Sequence, residues 1–104
     1  MGWAARHIEA LQHGNPVKFR PVGNSMAGRI ESGQLVTVVP IGPEPIKVDD
    51  VVLCRIWGRE FLHLVKGIRG SASGKEYMIG NNKGFVNGWI KVSAIFGKLE
   101  AVED

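Results

Sequence analysis

The chain contains a single cysteine, a single tyrosine and no apolar run approaching the length of a membrane span. One thiol, Cys54, excludes an internal disulfide and a multi-cysteine metal centre. It fits a reducing compartment, and a cytoplasmic location is the expectation. The N-terminus lacks a charged region followed by an apolar core, so no signal peptide is read there. No stretch long enough to span a bilayer is present, so work at a membrane would need another component to bring the chain there.

Charge of one sign is equally sparse. Thirteen lysines and arginines stand against ten acids, a net charge of +3. The pI is near 9.3, yet no block of five or six basic residues occurs, and a nucleic-acid partner is not expected. The tryptophans Trp3, Trp57 and Trp89 are too dispersed for a base-stacking platform. Gly80-Asn81-Asn82-Lys83-Gly84 lacks the lysine and hydroxyl spacing of a phosphate loop. His7 and His13 lack convergent partner ligands and read as surface residues. Neither a metal nor a cofactor is expected.

What is present is a β pattern. The chain has 104 residues and is 44% apolar, enough for one domain with a modest core. Residues 1–16 read as an N-terminal helix and turn, and 17–104 as a β domain. In GWAARHIEALQH, residues 2–13, Trp3, Ala4, Ile8 and Leu11 fall near one helical face, and Gly14-Asn15-Pro16 ends the segment. Val17 to Arg20 alternates as a short strand. Leu35 to Val39 is a dense β-branched run. Pro40 to Pro45 is a stiff loop. Val51 to Trp57 is a strand, Gly58-Arg59 its turn, and Glu60 to Ile68 its hairpin partner. After the flexible turn Gly70–Gly74, strands are expected at Glu76 to Ile79, Trp89 to Val92 and Ala94 to Val102. Many short strands with Gly/Pro turns indicate a mainly β, small coiled sheet or barrel-like domain with one short helix.

The chemistry centres on Pro21 to Val36. Ser25 sits in the turn Gly23-Asn24-Ser25-Met26, and Ala27-Gly28 leaves room beside it. A turn serine is ordinarily only that. It becomes a nucleophile when its hydroxyl is exposed and a base takes its proton, and the Ser25 N–H could then face a developing oxyanion. The strand Glu60 to Lys66 carries two candidate bases on opposite faces, His63 with Phe61 and Val65, Lys66 with Leu62 and Leu64. Histidine titrates near neutral pH, whereas lysine must be desolvated to give up its proton, so His63 is favoured. Cys54 shares a strand face with Val52 and Ile56 and reads as a small core residue.

Five segments in order carry a resemblance: Val22-Gly23-Asn24-Ser25-Met26, Ile30 to Val36, Ile46 to Val52, Phe61 to Val65, and Ile79 to Asn82 with Ile95 to Leu99. Together they are similar to the LexA/signal-peptidase superfamily of serine peptidases, over about Phe19 to Val102. The resemblance implies a LexA/signal-peptidase-type fold. Ser25 takes the nucleophile position, with Asn24, Ser25 and Met26 in the nucleophile turn. His63 takes the base position, as in the signal peptidases of the endoplasmic reticulum that use histidine. Met26 would pack beneath the turn, and Asp50 would hold a turn. Gln34 stands where the family usually has aspartate, and Leu64 where a basic residue is common. Asn81, Asn82 and Asn87 occupy the loop where histidine-using relatives carry aspartates, and are the candidates for orienting the imidazole. An asparagine can orient the ring but cannot offset its charge. No membrane helix precedes Ser25, and the 24 residues before it are too few for a repressor's DNA-binding domain and hold no Ala-Gly bond for self-cleavage.

Two functions follow. The first is a serine endopeptidase-like protein whose Ser25–His63 dyad acts on an extended peptide bound by strand addition. The alternative is a catalytically weak or inactive relative, of the kind a phage or mobile element encodes, acting as a protein-binding or inhibitory module. The resemblance also implies a homodimer as a possible assembly.

Overall fold

Strand β3 (Val51–Ile56) is apolar on both faces, with only Arg55 exposed. Such a strand belongs in the middle of a sheet covered on both sides. The computed structural model, which describes residues 2–104, places it there. Val51 and Leu53 enter one core cluster, and Val52, Cys54 and Ile56 enter a second on the opposite face.

Around β3 the chain forms α1 (Ala5–Gln12), β1 (Val17–Phe19), β2 (Leu35–Pro40), β4 (Arg59–Ser71), β5 (Gly74–Gly80), β6 (Val86–Lys91), a 3-10 turn (Val92–Ala94) and β7 (Ile95–Glu103). The strands make one antiparallel seven-stranded sheet in the order β1-β2-β7-β3-β4-β5-β6. The mainly β expectation with one short helix therefore holds.

Helix α1 covers the first face with Ala4, Ile8 and Leu11. Eight residues are too few to be stable in isolation, so docking holds the helix. It lies close because β7 carries Gly97. A Cβ there would stand 2.7 Å from Val38 Cγ1, 2.8 Å from the Val39 carbonyl and 2.9 Å from Leu11 Cδ1. The second face is covered by the sheet's own curl. β3 touches β6 although two strands separate them, and Tyr77, Ile79 and Ile90 close over Val52 and Cys54. Bulges at Thr37/Val38, Leu53/Cys54, Val65/Gly67 and Ile79/Gly80 interrupt the ladders. Each bends its strand and increases the local twist.

The structure moves several boundaries. The helix is shorter than 2–13 at both ends, β4 runs on to Ser71, and only Ala72-Ser73 turn it into β5. The β3–β4 turn is Trp57-Gly58 rather than Gly58-Arg59, with Ile56 paired to Arg59. Trp57 (φ 53°) and Gly58 (φ 77°) are both left-handed, as a type I′ hairpin turn demands. A tryptophan is a poor occupant of that conformation, and the residue is 92% exposed, so little packing compensates. Trp57→Asn is expected to stabilise the fold by about 0.5–1 kcal/mol and raise Tm by a few degrees. Thermal unfolding followed by circular dichroism tests this, and a lower Tm would contradict it.

Candidate active site

Ser25 is held by a loop that closes on itself before it meets the base. The Gly33 N–H donates to the Pro21 carbonyl at 2.8 Å, tying the loop's two ends, and the Gly23 N–H donates to Ser32 Oγ at 3.0 Å. Gly23 adopts φ 115°, a conformation that side chains resist. Met26 is 5% exposed and anchors the turn in the first core cluster, so Ser25 is turned outward. Gln34 accepts the Glu31 N–H at 2.7 Å and donates to Asp104 at 2.9 Å, a bracing role for the amide at that position.

The base comes from the half of β4 that β5 does not cover. β4 pairs with β3 from Arg59 to Leu64, but its pairing with β5 begins only at Leu64. The segment Arg59–His63 therefore has one edge without a strand partner, met by the Trp3 indole at the Glu60 carbonyl. His63 lies on the second-cluster face beside Phe61, ring centroids 4.9 Å apart, and is 6% exposed.

Here the two residues meet. Ser25 Oγ lies 3.2 Å from His63 Nε2, and His63 Nδ1 lies 2.8 Å from Asn87 Oδ1. An amide oxygen only accepts, so Nδ1 carries the proton. Nε2 is left with its lone pair toward the serine hydroxyl. Burial pushes the His63 pKa below its ordinary value, while the bond to Asn87 pulls the other way. The ring is neutral at pH 7 and ready to accept a proton.

Of the three asparagines expected to orient the imidazole, only Asn87 does so. The other two have different work. The Asn82 N–H donates to the Ser25 carbonyl at 2.9 Å, and its Nδ2 donates to the Ala27 carbonyl at 2.8 Å. Its Oδ1 accepts from Arg29 Nε at 3.2 Å, and Arg29 in turn reaches Asp49. Asn82 thus fastens the nucleophile turn to the β5–β6 loop. Gly28 makes room for it, since a Cβ there would stand 3.0 Å from Asn82 Nδ2. Asn81 Oδ1 accepts the N–H groups of Lys83 and Phe85 and shapes its own loop.

Lys66 occupies the bulge between Val65 and Gly67, with its stem beside Gly80 and no bond to Ser25. Asp50 Oδ2 accepts the Lys47 N–H at 2.8 Å and lies 3.6 Å from Lys98, so it does hold a turn. Cys54 is fully buried with its thiol pKa pushed up to about 12, which leaves it inert. His7 is half-buried rather than a free surface residue. Its ring stacks on Phe19 at 4.5 Å, and desolvation lowers its pKa. No cluster of potential metal ligands occurs, and no helix is long and apolar enough to cross a membrane, among the described residues.

Beside the dyad lies a cavity of about 480 Å³. Two runs of consecutive residues line it, Phe19–Gly23 and Arg59–His63, with Trp3 and His7 closing one side. Sequence reading missed this contribution of α1. The apolar helical stripe explains docking but gives no sign that its first turn reaches past the sheet. Glu60 was also unassigned. It is buried, paired with Arg55 at 3.0 Å, and its carbonyl accepts the Trp3 indole at 3.4 Å.

The chain matches no family model, no curated protein and no solved structure.

Stability tied to the neutral His63 is present in full above its unfolded pKa, near 6.5, and is lost as pH falls through the lower folded value. An NMR titration of the ring Cε1–H is expected to give a midpoint below 6.5. Asn87→Ala should lower it further and Asn87→Asp raise it. A native midpoint above the ordinary value would contradict the account.

Proposed function

We propose that this protein is a serine endopeptidase-like hydrolase acting on an extended peptide through Ser25 and His63. The observation that carries the reading is the relay from Ser25 Oγ to His63 Nε2 at 3.2 Å, with Nδ1 fixed on Asn87 at 2.8 Å. His63 Nε2 takes the hydroxyl proton as Ser25 Oγ bonds to the peptide carbonyl carbon. The carbonyl electrons move to oxygen, which the Ser25 N–H faces. The imidazolium then gives its proton to the leaving amine as the C–N bond breaks, leaving an acyl-serine. Water, deprotonated by His63, hydrolyses that ester and restores the dyad.

The order of segments resembling LexA and the signal peptidases supports this reading, as do the open β4 edge and the facing run Phe19–Gly23. An extended peptide laid between these edges would meet main-chain groups on both sides. With it go a LexA/signal-peptidase-type topology, a cytoplasmic location and the homodimer common in such proteins.

A second reading is favoured by one feature. Asn87 is neutral, so nothing at Nδ1 offsets the imidazolium formed during attack. A relative that binds a peptide or partner without cleaving it would keep the cleft and tolerate this loss.

Intact-mass analysis after exposure to a serine-directed acylating probe separates the two. A single adduct on Ser25 is expected, abolished by Ser25→Ala and slowed about 100-fold or more by His63→Ala. Equal labelling of all three proteins would rule out the hydrolase.

A further inference from the structure

Resting on the peptide reading of the cleft, we propose that the site selects an extended segment with a large apolar side chain next to an acidic one. The two sides of the cleft differ in chemistry. On the α1 side, Trp3, Phe19, Met26, Ile30 and Leu62 form an apolar wall. Trp3 and Phe19 pack with ring centroids 5.5 Å apart, so this wall is aromatic. A cavity of about 480 Å³ leaves space there for a leucine or phenylalanine side chain.

The charged rim is unbalanced. Both carboxylates lining the cleft are engaged. Glu60 pairs with Arg55, and Glu31 accepts the Gly28 N–H at 2.7 Å. The two arginines lining it, Arg20 and Arg59, have no carboxylate partner among the described residues. Arg20 spends one N–H on the Gly33 carbonyl at 2.8 Å, and Arg59 lies over the Phe61 ring at 5.6 Å. Each keeps donors free for a carboxylate.

Strand geometry orders these preferences along the ligand. Along the open β4 edge, Arg59, Phe61 and His63 share one face, and Glu60 and Leu62 the other. The Glu60 carbonyl leaves the ladder to accept the Trp3 indole, and by alternation the Leu62 backbone groups point the same way. A peptide paired there places one side chain against the Leu62 and Trp3 wall and its neighbour toward Arg59. The apolar and acidic preferences therefore fall on adjacent residues.

Titration of capped hexapeptides into the Ser25→Ala protein tests this, with central Leu-Glu, Leu-Lys or Ala-Glu pairs and binding followed by calorimetry. Leu-Glu is expected to bind about 10-fold more tightly than Leu-Lys at low ionic strength, with the gap narrowing as salt is added. Trp3→Ala should erase the advantage of Leu-Glu over Ala-Glu, and Arg59→Glu should reverse the order of Glu and Lys peptides. Circular dichroism confirms that each variant is folded. Equal affinity for Glu and Lys peptides, no change of order in Arg59→Glu combined with Arg20→Glu, or no binding of any peptide would overturn the proposal. Probe labelling of the unmutated protein is scored separately. Labelling without charge preference sinks the subsites alone, and charge preference without labelling sinks the hydrolase alone.

Discussion

The site depends on a backbone bond rather than on the dyad itself. The nucleophile turn and the base strand are distant in sequence and have no ladder in common. What joins them is Asn82, whose main-chain N–H and side-chain amide grip the Ser25 and Ala27 carbonyls. Asn82 can do so because β5 stops pairing with β4 at Leu64 and Gly80. Past that point the chain leaves the sheet, and Asn82 meets the serine turn. The same early stop leaves the Arg59–His63 edge open. One truncation of a ladder thus produces both the nucleophile's seat and the groove beside it.

The electrostatics of the dyad follow from what surrounds His63. Burial beside Phe61 disfavours the imidazolium, and the Asn87 carbonyl fixes the tautomer without supplying a full charge. Such a ring is present in its basic form down to mildly acidic pH. It is also a weaker base than one facing a carboxylate. In the peptidase reading, proton transfer from Ser25 would rely on geometry and on exclusion of water from the cleft by a bound peptide.

Much of the sheet was legible because its signals are local. The β-branched run at Leu35–Val39 and the two-faced apolar run at Val51–Ile56 each specify a strand from their own residues, and the structure has both. Strand parity alone left Lys66 as a rival partner for Ser25, but the near-neutral titration of histidine favoured His63, whose Nε2 lies 3.2 Å from Ser25 Oγ. The roles of the three asparagines were not legible. Asn81, Asn82 and Asn87 are chemically alike and close in sequence, and the bulge at Ile79/Gly80 decides which of them reaches the imidazole. The hairpin turn was misplaced because tryptophan is an unexpected residue at positive φ, so Gly58-Arg59 looked the better pair.

Helix α1 joins stability to the site. Its Ile8 and Leu11 serve the core, while Trp3, just ahead of it, and His7 face the cleft. The helix can lie this near the sheet only because Gly97 has no side chain between Val38 and Leu11. A methyl at Gly97 would lift the helix or force its neighbours apart, at a cost of about 1–3 kcal/mol for an overpacked core. The displacement would travel along the rigid helix to the Trp3 indole and loosen its bond to the Glu60 carbonyl. A contact at the other end of the helix, remote from Ser25, thus bears on the aromatic wall of the cleft. Core packing and the shape of the cleft are coupled through α1 and the Trp3 that precedes it.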